Sequence, residues 1–197
     1  MRERDVWRTS RRTKIEWATH TWQVSDGCSR VSEGCRHCYA EWIAARFPAK
    51  FGHTAQFVDK KARWTGEVKP RPAALEEPAH WSPRVPRRVF VNSMSDLFHE
   101  KLPLEYVCAV FSVMRGHPAH TFMVLTKRPG RMAAWWDPAD IWPANVWAGT
   151  SVEDQSAAEV RIPALLNVPA RVRFLSCEPL LGPLDLNYWH DSLQWVI

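Results

Sequence analysis

No apolar run in this chain approaches the roughly 20 residues that a membrane-spanning helix needs, so no membrane segment is expected. No glycine-rich G-x-G-x-x-G fingerprint follows the first strand-like segment, which argues against a dinucleotide-binding Rossmann domain. Cysteine is sparse, five in 197 residues, and two of the five, Cys108 and Cys177, stand alone in apolar runs. The opening residues do not read as a secretory leader either. That pattern argues against a secreted disulfide framework and leads to the expectation of a reducing cytoplasm.

What is present is basic and aromatic. The net charge is +5, and Arg2, Arg4, Arg8, Arg11, Arg12 and Lys14 crowd the start, so residues 1–16 read as a basic N-terminal tail and 17–197 as one domain. The twelve tryptophans far exceed ordinary usage. Most are expected to fill core and interfaces, while Trp81, beside Arg84, Arg87 and Arg88, is a candidate for stacking on nucleic-acid bases.

Strand and helix patterns alternate along the chain. Thr21 to Val24 is a short β-prone run, and Tyr39 to Phe47 is a helix stopped by Pro48. A long, charged, proline-rich stretch from Ala49 to Pro86 reads as a connection with one helical turn near Ala73 to Glu77, of the kind used for a lid or binding loop. Strands at Arg88–Asn92, Thr121–Leu125, Asn145–Ala148, Arg171–Leu175 and Leu193–Ile197 then alternate with helices at Leu104–Met114, Pro129–Trp136 and Gln155–Leu166. Apolar strands separated by helices predict a parallel α/β sheet. A full eight-unit barrel needs about 250 residues, so the expected fold is a partial (β/α)6 TIM-like barrel. The ending Trp195-Val196-Ile197, with no turn or cap, suggests that the barrel is incomplete at its C-terminus.

Polar residues follow the strands. The second ends in Asn92-Ser93-Met94-Ser95-Asp96, the third in Thr126-Lys127-Arg128, the fourth in Ser151-Val152-Glu153-Asp154 and the fifth in Ser176-Cys177-Glu178. Singly these are helix caps. Together they describe a polar cofactor site at the carboxyl ends of parallel strands. By residue type, Lys127 and Arg128 suit a carboxylate or phosphate, and Glu153, Asp154 or Glu178 suit ribose hydroxyls or an ammonium group.

The first strand ends in the most informative feature, Gly27-Cys28 followed after six residues by Cys35-Arg-His-Cys38-Tyr39. Three soft thiolates on one loop can bind zinc or an iron–sulfur cluster and leave one coordination position for another group. Zinc completed by His37 or His53, a redox dithiol of Cys35 and Cys38, and inert buried thiols are the other readings of the same residues.

A strand, a three-cysteine loop and then β/α repeats with polar strand ends resemble the radical S-adenosylmethionine enzymes. More closely, the chain resembles the phage and prophage three-cysteine-motif family, phage proteins of unknown function. The stretches that carry this resemblance are Lys14–Trp17, Gly27–Glu41, Val89–His99, Leu125–Pro129, Ser151–Asp154 and Leu175–Pro183. The radical-enzyme motif has a shorter gap between its first two cysteines than the six residues here.

The resemblance implies that Cys28, Cys35 and Cys38 ligate three irons of a [4Fe–4S] cluster and that S-adenosylmethionine takes the fourth. Reductive cleavage of the sulfonium then yields a 5′-deoxyadenosyl radical that abstracts hydrogen from a substrate. Cofactor-binding roles are implied for Tyr39, for Asn92, Ser93, Ser95 and Asp96 near the methionine end, and for Thr126, Lys127, Arg128, Ser151, Glu153, Asp154, Ser176 and Glu178. Cys177 is implied as a hydrogen-atom donor. The implied partners are an electron donor and a substrate, with nucleic acid, a nucleotide or a protein open. A zinc-stabilised nucleic-acid-binding module and a non-catalytic phage interaction protein are the alternatives.

Overall fold

In the computed structural model, which describes residues 13–197, the core is a six-stranded parallel sheet flanked by helices. The N-terminal arginines from Arg2 to Arg12 lie outside the described residues. β1 (His20–Trp22) and a two-residue β2 (Ser25–Asp26) precede the cysteine loop, which contains a 3-10 turn at Glu33–His37 and runs into α1 (Tyr39–Arg46). Next come β3 (Ala55–Val58), β4 (Lys61–Trp64) and β5 (Lys69–Pro70), a 3-10 segment at Pro72–His80, and β6 (Arg88–Val91). The remainder alternates: α2 (Leu104–Gly116), β7 (Thr121–Thr126), α3 (Pro129–Trp135), β8 (Val146–Ser151), α4 (Gln155–Leu166), β9 (Arg173–Ser176) and β10 (Trp195–Val196).

The large sheet runs β1-β6-β7-β8-β9-β10, in chain order and without a reversal. Alternate residues of each strand point to opposite faces. Val89 and Val91, Phe122 and Val124, Val146 and Ala148, and Leu175 therefore pack on one side, against Val107, Val110, Phe111 and Met114 of α2, Met132 of α3, and Ala158, Ile162 and Leu165 of α4. Phe90, Met123, Gly149 and Phe174 occupy the intervening positions and turn the other way. Phe90 and Phe174 stand three strands apart, yet the Trp17 ring lies 4.7 Å from one and 6.3 Å from the other, centroid to centroid. A Cβ at Gly149 would come within 2.4 Å of the Phe174 ring, so glycine there lets the aromatic lie flat on its neighbouring strand.

The stretch expected to be one long connection is partly ordered. β3 and β4 form an antiparallel hairpin whose turn residues, Asp59 and Lys60, both have positive φ, and β5 pairs antiparallel with β2. The hairpin escapes sequence reading because its strands, AQFV and KARW, are only four residues each and its turn lacks glycine. Trp81 is also not a stacking platform. It is buried in the core against Trp22, His120 and Phe122, with the Arg87 guanidinium 5.2 Å from its ring centroid. Among the described residues, no helix is long and apolar enough to cross a membrane.

Candidate functional site

The carboxyl ends of β6 to β9 open into a cavity of about 470 Å³, and the cysteine loop forms its opposite wall. Gly27 makes the bend into that loop: its φ is +87°, and a Cβ there would lie 2.0 Å from the Glu67 carbonyl oxygen. Cys28, Cys35 and Cys38 all line the cavity. So do Tyr39, Asn92, Ser93, Ser95, Asp96, Thr126, Lys127, Arg128, Ser151, Ser176 and Glu178. Sequence reasoning thus names most of the polar wall.

Three expected residues stand elsewhere. Asp154 caps α4, its carboxylate accepting from the Ala157 amide at 2.8 Å. Cys177 packs against the helix-side core, and burial raises its thiol pKa. Glu153 lies just behind the cavity, 1% exposed, where it accepts from Arg161 Nη1 at 2.7 Å and pairs with Lys127 Nζ at 3.5 Å.

Asp96 and Arg128 hold the site together rather than facing a ligand freely. The Asp96 carboxylate accepts from the Thr126 hydroxyl at 2.7 Å, the Lys127 amide at 3.2 Å, Arg128 Nη1 at 3.0 Å and the Phe98 amide at 2.9 Å. Arg128 also donates from Nε to Glu100 at 2.8 Å and from Nη2 to Ser29 Oγ at 2.9 Å, and its Nη1 lies 3.9 Å from Cys28 Sγ. Burial opposes the charge on Arg128, but Asp96, Cys28 and Glu100 outweigh it and raise its pKa. Behind Ser29, the Lys101 amide donates to His99 Nδ1 at 3.1 Å, so Nε2 carries the proton and donates to Ser29 Oγ at 2.8 Å. His99 is kept neutral by burial and by the Arg128 charge, which lower its pKa.

Asn92, at φ +75°, joins the first two strand ends: Oδ1 accepts from the Ser25 amide at 3.0 Å and Nδ2 donates to Ser25 Oγ at 2.7 Å. Ser95 donates to the Gly27 carbonyl, and the Tyr39 hydroxyl donates to the Ser93 carbonyl at 3.0 Å. On the far side of the loop, the Glu41 carboxylate pairs with Arg30 and accepts from the Trp64 amide at 2.7 Å, tying α1 to the hairpin.

Burial favours the protonated form of two of the thiols. With help from the Asp96 charge and against that of Arg128, it pushes Cys28 up to about 12, and it also raises Cys38. Metal binding must therefore displace protons and depends on pH. Among the described residues, no three His, Cys, Asp or Glu side chains are gathered in metal-ligating geometry.

The apolar lining was missed from the sequence. Trp17, Phe90 and Leu125 contribute to it, and Trp64 reaches in from the hairpin. In a parallel strand that is apolar on both faces, nothing in Val89-Phe90-Val91 marks which residue faces a cavity.

Two tests follow from these contacts. Asp96→Ala leaves Arg128 with the half-exposed Glu100 as its remaining carboxylate and removes the acceptor of the Thr126 hydroxyl and two amides; it is expected to cost about 3 kcal/mol in urea unfolding, the low end for breaking a buried pair, with Asp96→Asn costing less because its amide oxygen still accepts. Glu153 is held below its ordinary 4.5: burial raises it, but a Ser32 hydrogen bond and the charges of Lys127 and Arg161 win. Its stabilising contribution is full above 4.5 and is lost as pH falls through the lowered folded value. Glu153→Gln should therefore flatten the acid limb of a stability–pH curve, and parallel curves for variant and wild type would contradict that assignment.

Comparison with curated proteins and with solved structures finds no match. A family model does match, over residues 12–197, nearly the whole chain including the cysteine loop and all the strand ends that line the cavity. The chain belongs to the family described as protein of unknown function (DUF5131).

Proposed function

We propose that this protein is a radical S-adenosylmethionine iron–sulfur enzyme of phage type, built on an open (β/α)6 part of a barrel. The observation that carries the reading is the convergence of three cysteines and four polar strand ends on one cavity. The barrel part is supported by the unreversed strand order, by α2, α3 and α4 sharing one face, and by the single Trp17 ring reaching both Phe90 and Phe174.

The donor set suits the group. By residue type, three thiols on one cavity with no fourth cysteine beside them suit a [4Fe–4S] cluster with an open iron once the loop draws them together, and Arg30 and Arg128 would bring positive charge to the thiolates that loading creates. When bound, the cluster and S-adenosylmethionine supply one-electron cleavage of a sulfonium, and the protein supplies position and exclusion of water.

The chain's own residues divide that work. Lys127 is partly exposed in the cavity wall and presents its ammonium to a carboxylate, with Glu153 behind it fixing its direction. The hydroxyls of Ser93, Ser151 and Ser176 and the carboxylate of Glu178 offer hydrogen bonds to an amino group and ribose. Trp17, Phe90 and Leu125 form an apolar wall that keeps water from a reactive centre. Arg128 and Asp96 hold the Cys28 segment against the end of β7 and need not touch a ligand. Cys177, on the helix side of the sheet, carries no role in this reading. An electron donor is required, and a reducing compartment such as the cytoplasm suits a cluster of this kind.

Anaerobic reconstitution with iron and sulfide tests the proposal. Wild type should acquire cluster absorption, and Cys28→Ala, Cys35→Ala and Cys38→Ala should each lose most of it. Reduction in the presence of S-adenosylmethionine should then release 5′-deoxyadenosine. One bound zinc without iron, or equal absorption in all three variants, would sink the reading.

A further inference from the structure

Directly after Cys38, α1 buries Ala40, Glu41, Ala44 and Ala45 and leaves a different set of residues in solvent. Tyr39 is 54% exposed and Trp42 48%, and Phe47 at the helix end is 50% exposed. Tyr39, Trp42 and Arg46 follow i, i+3, i+7 spacing and share one helix face. The Arg46 guanidinium lies 5.1 Å from the Trp42 ring centroid and 5.8 Å from that of Phe47. Because Tyr39 also lines the cavity, this row of rings starts at the cavity wall.

A second feature adjoins the same loop. Arg30, Arg36, Lys61 and Arg63 line an open cleft in which Glu33 is the one acidic side chain. Strand alternation builds it: Ala62 and Trp64 of β4 pack inward, and Lys61 and Arg63 turn outward. Arg30 and Arg36 have carboxylate partners in Glu41 and Glu33, so Lys61 and Arg63 supply the surplus charge. The loop serves both hollows, with Ser29, Gly34, Cys35 and His37 facing the cavity and Arg30 to Glu33 facing the cleft.

We propose that α1 and the adjoining basic cleft form the landing surface for a single-stranded nucleic acid, from which an unstacked base enters the cavity. The proposal rests on the functional reading above only in taking the cavity as the place of reaction. Exposed rings interleaved with guanidinium groups are what unpaired bases stack on, and a cationic cleft tracks phosphates. A duplex hides its base faces, so it has no use for the rings. An acidic protein would meet the cleft charges but would leave Trp42 and Phe47 unexplained.

The test titrates the whole chain, without iron, into a fluorescently labelled single-stranded oligonucleotide of about 12 mixed nucleotides, read by anisotropy. Wild type should bind, with affinity falling as salt rises. Trp42→Ala combined with Arg46→Glu, and separately Lys61→Glu combined with Arg63→Glu, should each weaken binding about tenfold or more. Thermal melting should be unchanged, and Trp42→Phe should keep binding. Absent wild-type binding, undiminished binding by both double variants, equal affinity for a duplex of the same sequence, or affinity for polyglutamate alone would overturn the proposal. No cluster is needed for this titration, so its failure leaves cluster assembly standing, and a failure to assemble a cluster leaves the binding result intact.

Discussion

The buried ion pair between Asp96 and Arg128 is the constraint on which the rest of the site depends. Their side chains are 8% and 6% exposed, and a charge so placed is tolerated only with its partner in position. Each group also has further work. Asp96 gathers the Thr126 hydroxyl and the Lys127 amide, and Arg128 reaches Glu100 and Ser29. The ends of β6 and β7 and the start of the cysteine loop are thereby locked in one arrangement. Cys28 sits next to that lock, close enough to the guanidinium for its charge to be felt.

Other contacts extend the same logic around the cavity. Asn92 bonds Ser25 and so fixes β2 to the end of β6 just before the loop begins. Glu41 fixes the helix after the loop to the hairpin through Arg30 and the Trp64 amide. Glu153 and Arg161 anchor the end of β8 to α4 and hold Lys127 from behind. Three carboxylates that sequence reading treats alike as candidate ligands or caps thus separate into a loop clamp, a helix cap and a lysine support. Burial and neighbouring cations decide which is which.

How much of this was legible follows from what each residue signals locally. The apolar runs of β6 to β9 and the polar residues after them are contiguous in sequence, so the sheet and the polar wall can be read directly. Gly27 and the cysteine spacing mark a loop in the same way. The functions of Asp96 and Arg128 cannot be read so, because Arg128 meets Ser29 and Cys28 about a hundred positions away and no local pattern encodes that. The hairpin is hidden for another reason: Asp59 and Lys60 take positive φ without glycine. Trp81 shows how composition misleads, since arginines beside a tryptophan look the same whether the ring stacks on bases or, as here, packs in the core.

In the function proposed above, three cysteines would leave one iron free to meet a small molecule lodged among the strand ends. Mössbauer spectroscopy of the chain loaded anaerobically with iron-57 and sulfide, before and after S-adenosylmethionine is added, addresses it most directly. The expected result is a four-iron cluster in which one site changes its isomer shift and quadrupole splitting when S-adenosylmethionine is added, while the other three stay put. A chain that retains no four-iron cluster, or a spectrum indifferent to S-adenosylmethionine, would contradict the account.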